Sequence, residues 1–178
     1  MARLGILAAC AVLLALLGGC ASPADRAAME AGPVVRAQVP KGDSVQITVS
    51  GGQATGALDP SSIADADLKA AVEASILKAG LFGSVSRIPA DYTLYVRIIE
   101  LQRPLMGGNF TVKLELAWQL IRVSDQKIMF RTSIRSSHRT TMSESFAAVT
   151  RLKMAVEGAV KENIETFLKE LSAAQLPD

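Results

Sequence analysis

The sequence predicts an α+β two-layer sandwich: a mainly antiparallel four-stranded sheet, in the order β-α-β-β-β-α, with two helices on one face. Three observations predict it. Four segments alternate apolar and polar residues, the two-residue period of a half-buried strand. Two others repeat apolar residues every three to four positions, as a helix with one buried stripe does. Short turns join three of the strands into an antiparallel meander, whereas the first helix separates two strands that would run parallel.

In the first strand Val45, Ile47 and Val49 alternate with Gln46 and Thr48. Gly51 to Gly56 then interrupts the pattern, and Asp59-Pro60 with Ser61-Ser62 offers capping residues for a helix. Over Ile63 to Ala79, Leu68, Val72, Ile76 and Ala79 fall on one stripe, and Gly80 is suited to end the helix. Leu81 to Val85 returns the chain towards the sheet as a short strand before Pro89.

Tyr92 to Leu101 places Leu94, Val96 and Ile98 on one face and Thr93, Tyr95, Arg97, Ile99 and Leu101 on the other. Met106 to Asn109 is a turn. From Phe110 to Val123 the residues Phe110, Val112, Leu114, Leu116, Trp118 and Leu120 alternate strictly, as in a long central strand. After Ser124-Asp125-Gln126, Ile128, Phe130, Thr132 and Ile134 alternate with Lys127, Met129, Arg131, Ser133 and Arg135. With Val123 opposite Lys127, Leu120 faces Phe130, Leu116 faces Ile134 and Glu115 faces Arg135, so one register joins apolar partners and opposite charges. Thr141 and Glu144 have capping-box spacing, and a helix to about Leu171 follows, with Phe146, Val149, Leu152, Val156, Val160, Ile164, Phe167 and Leu171 on its apolar stripe.

Composition narrows the function classes. Lysine and arginine number 19 against 17 acids, so no concentrated basic balance points to nucleic acid. The two cysteines, Cys10 and Cys20, both lie near the N-terminus, which leaves none for a disulfide or a cysteine zinc site in the domain. His138 is the only histidine, and no metal or cofactor is expected.

The first twenty residues carry an address. Met1 to Arg3 is a short basic start and Leu4 to Leu17 an apolar run, shorter than the about 20 residues that span a bilayer. Leu17-Gly18-Gly19-Cys20 resembles the lipobox of bacterial lipoproteins, in which the cysteine thiol is acylated and becomes the new N-terminus. On this reading residues 1–19 are a signal peptide, 20–41 a lipidated flexible tether, 42–173 a single α+β domain and 174–178 a tail. Ordinary signal cleavage or a short membrane anchor is the alternative for the first segment. Pro23, Pro33 and Pro40 mark the tether, although Val34 to Val39 could instead add an edge strand. By the same resemblance, Ala21 after the cysteine implies an outer-membrane anchor with the domain in the periplasm.

Few residues offer chemistry. His138 lies among Ser136, Ser137, Thr140 and Thr141, but a triad also needs an orienting acid and oxyanion donors, and no G-x-S-x-G turn is present. A solvated loop histidine is the preferred reading, with a periplasmic hydrolase as the alternative. The glycine pairs Gly51-Gly52 and Gly107-Gly108 read as loop and hairpin residues. The outer sheet face is more informative: Tyr95, Arg97, Lys113, Gln119, Arg131 and Arg135 would cluster there with Ile99, Leu101 and Met129. Such a surface suits an anionic lipid head group or a partner protein, although an ordinary solvated face has a similar composition.

Four stretches carry a further likeness: Leu77 to Val85, Ala90-Asp91-Tyr92-Thr93-Leu94, the Val112 to Gln119 strand with its hairpin partner, and the final helix. Together they resemble the auxiliary lipoproteins of ABC-type lipid transporters and, in architecture, the lipopolysaccharide-assembly lipoprotein that plugs an outer-membrane barrel. The resemblance implies a non-enzymatic adaptor or lipid-handling component of outer-membrane assembly or transport, partnered by a transporter or a barrel. It implies no catalytic residue. An oligomerising structural or secretion-associated lipoprotein is the other non-enzymatic reading.

Overall fold

The computed structural model describes residues 23–32, 36, 40–56, 61–85 and 88–177. Its elements are α1 (Arg26–Met29), β1 (Gly42–Ser50), α2 (Asp65–Ala79), β2 (Phe82–Val85), β3 (Tyr92–Gln102), β4 (Phe110–Arg122), β5 (Ile128–Thr140) and α3 (Ala148–Ala173). The sheet has five strands, not four, in the order β2-β1-β3-β4-β5. It is also mixed. β1 pairs in parallel with both β2 and β3, while β3, β4 and β5 form the expected antiparallel meander. The short segment after Gly80 is therefore a full edge strand, with Gly42 opposite Phe82 and Val45 opposite Val85.

Alternation translates directly into burial in the centre of the sheet. Val45 and Ile47 of β1, Leu94 and Val96 of β3 and the six alternating apolar residues of β4 all face the helices. The β4–β5 register brings Leu120 to Phe130, Leu116 to Ile134 and Glu115 to Arg135, as the pairing of apolar and charged partners requires.

Two register shifts correct the assignment of faces. One lies between Ile98 and Glu100 of β3, so Ile99 is the extra residue. Beyond it the side-chain phase reverses: Leu101 stands opposite the buried Leu114 and packs against the core, while Ile99 stays exposed. The other lies between Leu120 and Ile121 of β4, where Ile121 pairs with Ile128 and leaves Met129 as the extra residue on β5. Met129, expected on the outer face, is buried, and Ile128, expected inside, is exposed.

α2 buries Leu68, Ala71, Val72, Ser75, Ile76 and Ala79. Gly80 ends it at φ +67°, a left-handed conformation, with its N–H donated to the carbonyls of Ile76 and Leu77. The helix starts at Asp65 after an Ala64 cap with no side-chain bond, so Ser61 and Ser62 do not cap it. Asp59 and Pro60 lie outside the described residues.

α3 begins later than expected. Glu144 Oε2 accepts hydrogen bonds from the backbone N–H and the hydroxyl of Thr141, but these close a turn, and the helix starts only at Ala148. Phe146 and Val149 are consequently exposed, although the spacing assigned them to the buried stripe. From Leu152 onward the stripe packs as expected on β4 and β5. Trp118 stacks on Phe167 with ring centroids 4.0 Å apart at 8°. Asn163, fully buried, accepts the Trp118 Nε1–H at 3.0 Å and donates to the Ile134 carbonyl at 2.8 Å and to Ser136 Oγ at 3.1 Å.

Part of the expected tether is packed. Asp25 caps α1 by accepting the Ala27 N–H, and Ala24, Met29 and Ala31 join the core, with Met29 fully buried between the helices. The segment is pinned at four points: Asp25 N–H donates to Glu157 Oε1, Ala31 N–H to Ser75 Oγ, Gly32 N–H to Glu165 Oε1, and Glu30 pairs with Lys78. The Val34 to Val39 alternative falls largely outside the described residues. In the expected tail, the Ala174 carbonyl accepts from Lys41 Nζ and Leu176 packs against the core.

Candidate functional site: the uncovered face of the sheet

Both long helices lie on one side of the sheet, so the opposite face carries its side chains into solvent. The pairing register lays that face out in rows. Tyr95, Gln119 and Arg131 share one row; Arg97, Ala117 and Ser133 the next; Glu100, Glu115 and Arg135 a third; Gln102, Lys113 and Ser137 a fourth. All six polar residues assigned to it from the sequence, Tyr95, Arg97, Lys113, Gln119, Arg131 and Arg135, therefore lie on this one face.

Two of their expected companions do not, because the bulges turn Leu101 and Met129 inward. The face is also less basic at its centre than the cation pattern indicated. Arg135 Nε donates to Glu115 Oε2 at 2.8 Å, and Ser133 Oγ donates to Glu115 Oε1 at 2.7 Å. These bonds, the Arg135 one foremost, hold the Glu115 carboxyl below its usual range, and the pairing in turn raises the Arg135 guanidinium above its own. Glu100 stands directly opposite Glu115 across the β3–β4 pair. With Gln102, Lys113, Arg135 and Ser137, these two acids line a shallow depression of about 400 Å³. No ion pair links Arg97, Lys113 or Arg131 to another described side chain.

Sequence reasoning missed Arg139, which joins the outer face because β5 runs on to Thr140. The signal was present, since the alternation of Ser133, Arg135, Ser137 and Arg139 continues past the point where the strand was expected to end.

His138 is not a loop residue. It sits on β5 opposite Val112 and points toward α3. There its Nδ1 lies 2.7 Å from Glu162 Oε1, and its ring covers Gly158, where an added Cβ would stand 2.2 Å from His138 Cδ2. Glu162 could serve as an orienting acid, but the nearby hydroxyl of Ser136 donates to the Ala159 carbonyl and accepts from Asn163. These contacts join the sheet to α3. Among the described residues no three His, Cys, Asp or Glu side chains gather as a metal site, and no helix is long and apolar enough to cross a membrane. Cys20, the candidate lipidation site, lies outside the described residues.

No family model and no curated protein matches the chain. Solved structures do. A Xanthomonas campestris protein of family DUF330 is 14% identical with a TM-score of 0.56, the match covering 84% of this chain and 90% of that one. A minor lipoprotein from Acinetobacter baumannii is 13% identical with a TM-score of 0.52, covering 78% and 96%. A putative lipoprotein from Caulobacter crescentus is 13% identical with a TM-score of 0.51, covering 72% and 87%. At these identities the likeness is one of fold: the chain shares its mixed-sheet α+β architecture with solved bacterial proteins, two of them described as lipoproteins.

Proposed function

We propose that the protein is a bacterial lipoprotein, acylated on Cys20 and anchored to the outer membrane, whose periplasmic domain acts by contact rather than by bond-breaking. Its role is that of an adaptor or lipid-handling component in envelope assembly or transport. One observation carries the reading: an apolar leader ends in Leu17-Gly18-Gly19-Cys20, and a few residues later the chain enters the core of a fold that solved lipoproteins share. Several acyl chains, at about 0.8 kcal/mol per buried CH2, hold such a domain on a bilayer essentially permanently.

The uncovered sheet face is the surface for an envelope partner or an anionic head group. Arg97, Lys113 and Arg131 supply donors with no competing acid bonded to them, and Tyr95, 46% exposed, adds an amphipathic ring. Mass spectrometry of the membrane-extracted protein tests the anchor, since an unmodified Cys20 thiol would end this reading. Crosslinking from the native membrane tests the surface. Reversing Arg97, Lys113 and Arg131 to glutamate, with Arg135→Gln to spare Glu115 a like-charge neighbour, should abolish the crosslinked species; unchanged crosslinking would place the contact elsewhere. A hydrolase using His138 is tested by complementation. His138→Ala should restore a deletion strain, and failure to do so in a stably folded variant would favour catalysis.

A further inference from the structure

One end of the domain exposes large apolar side chains in a fixed arrangement. Leu105 and Met106, in the β3–β4 connection, are 84% and 89% exposed, and Phe146, in the β5–α3 connection, is 88% exposed. These two loops share one end of the sheet, because Phe110 at the start of β4 pairs with Thr140 at the end of β5, and Met142 Sδ lies 3.3 Å from where a Cβ on Gly108 would stand. The arrangement is anchored from below. Arg151, buried, donates to the carbonyls of Ser145 and Phe146 at 2.7 Å and lies 5.3 Å from the centre of the Phe110 ring. Glu144, the acid of this loop, turns its carboxylate back on Thr141. The loop that carries Phe146 is thus tied down from below by the Arg151 Nη1 bonds.

The N-terminal segment enters the domain from the same end. Asp25 is bonded to Glu157 and Gly32 to Glu165, so residues 25 to 32 run along α3 in its own direction. Glu157 lies nine residues beyond Ala148, about 14 Å along the helix from its start. Asp25 stands five positions after Cys20, a reach of at most about 18 Å. The start of α3 therefore lies within reach of an acyl group on Cys20, and a bilayer that holds the group there meets this end of the domain.

We propose that Leu105, Met106, Met142 and Phe146 seat in the same bilayer that holds the acyl chains of Cys20, fixing the domain's orientation on the membrane. The inference rests on the acylation proposed above. The uncovered sheet face then stands beside the membrane, with its Arg139 end nearest the head groups.

The test uses the mature acylated protein, which begins at Cys20 and so lacks Cys10, in vesicles of phosphatidylglycerol and phosphatidylcholine, with bromine placed on the acyl chains. Acylation blocks the Cys20 thiol, so Met106→Cys, Phe146→Cys and, at the far end of the sheet, Ser124→Cys each accept a single environment-sensitive fluorophore. Labels at 106 and 146 should shift to the blue and be quenched by bromine at a depth of roughly 5–10 Å; the label at 124 should behave as in water. Vesicle-bound protein whose labels at 106 and 146 remain water-like overturns the proposal. So do labels that are shielded only at high protein concentration and untouched by bromine, because a second copy then covers this end. Failure of acylation is read separately, by mass and by loss of flotation with the vesicles, and removes the anchor and the seat together.

Discussion

His138 occupies the space that a side chain at residue 158 would take, so Gly158 is required by close approach of helix to sheet. Gly158→Ala should destabilise the domain by about 1–3 kcal/mol through overpacking. In the His138→Ala background the same change should cost much less, because the colliding ring is gone. Urea denaturation of the four proteins measures this, and additive costs would show that the contact does not govern. Glu157 makes a second prediction at this scale. Burial, the main cause, pushes its carboxyl above the usual range against the opposing bonds from Asp25 and Lys153. A carboxyl raised on folding stabilises the native state while protonated, and that contribution is lost as pH rises through its folded pKa. Glu157→Gln keeps an acceptor for the Asp25 N–H and removes the buried charge. Its stability relative to the parent should therefore be greatest at neutral pH and shrink as pH falls below the ordinary carboxylate range. A difference independent of pH would contradict the assignment.

At the scale of elements, the sheet and α3 are joined through Trp118, Phe167 and Asn163. Only the alternation that places Trp118 inside and the stripe that includes Phe167 are readable in the sequence. Asn163 is not, since an amide between Val160 and Ile164 reads as the polar flank of a helix. Its role requires β4 and β5 to arrive from elsewhere, presenting an indole N–H and a carbonyl. Asn163→Ala should cost about 1–3 kcal/mol by stranding buried groups, and the emission of Trp118, the sole tryptophan, reports the change. Restoration of part of that loss by Trp118→Phe would show that the unpaired indole N–H is responsible. α1 makes a similar case. Arg26 to Met29 is too short to predict as a helix, and its position depends on Ser75, Glu157 and Glu165, residues far away in the chain. Met29→Ala should cost about 2–5 kcal/mol, as for a core methionine, whereas a residue in a free tether would cost nothing.

With the proposed acylation of Cys20, the whole molecule would combine a short anchor, an apolar end and an uncovered face. Their relation predicts an effect of tether length. Inserting about 20 Gly and Ser residues between Cys20 and Pro23 would leave acylation intact while extending the mean reach by some 25 Å. A fluorophore at residue 146 should then spend more of its time in water and lose part of its quenching by brominated lipid. Equal quenching in both proteins would show that the apolar end inserts without help from the short tether.

Some properties were determined by the sequence alone. The two-residue period follows from strand geometry and assigned most of the inner faces of β1, β3 and β4. The β4–β5 register followed from matching apolar and charged partners across one turn. Both are short-range properties of the chain. The tertiary structure decided the rest: the two bulges, the fifth strand, the late start of α3, the packing of residues 24–31 and the company His138 keeps. A bulge inserts one residue and reverses every side chain beyond it, yet leaves the local pattern intact. Burial of a residue such as Met29 or Asn163 depends on surfaces that meet only once the sheet and helices have closed.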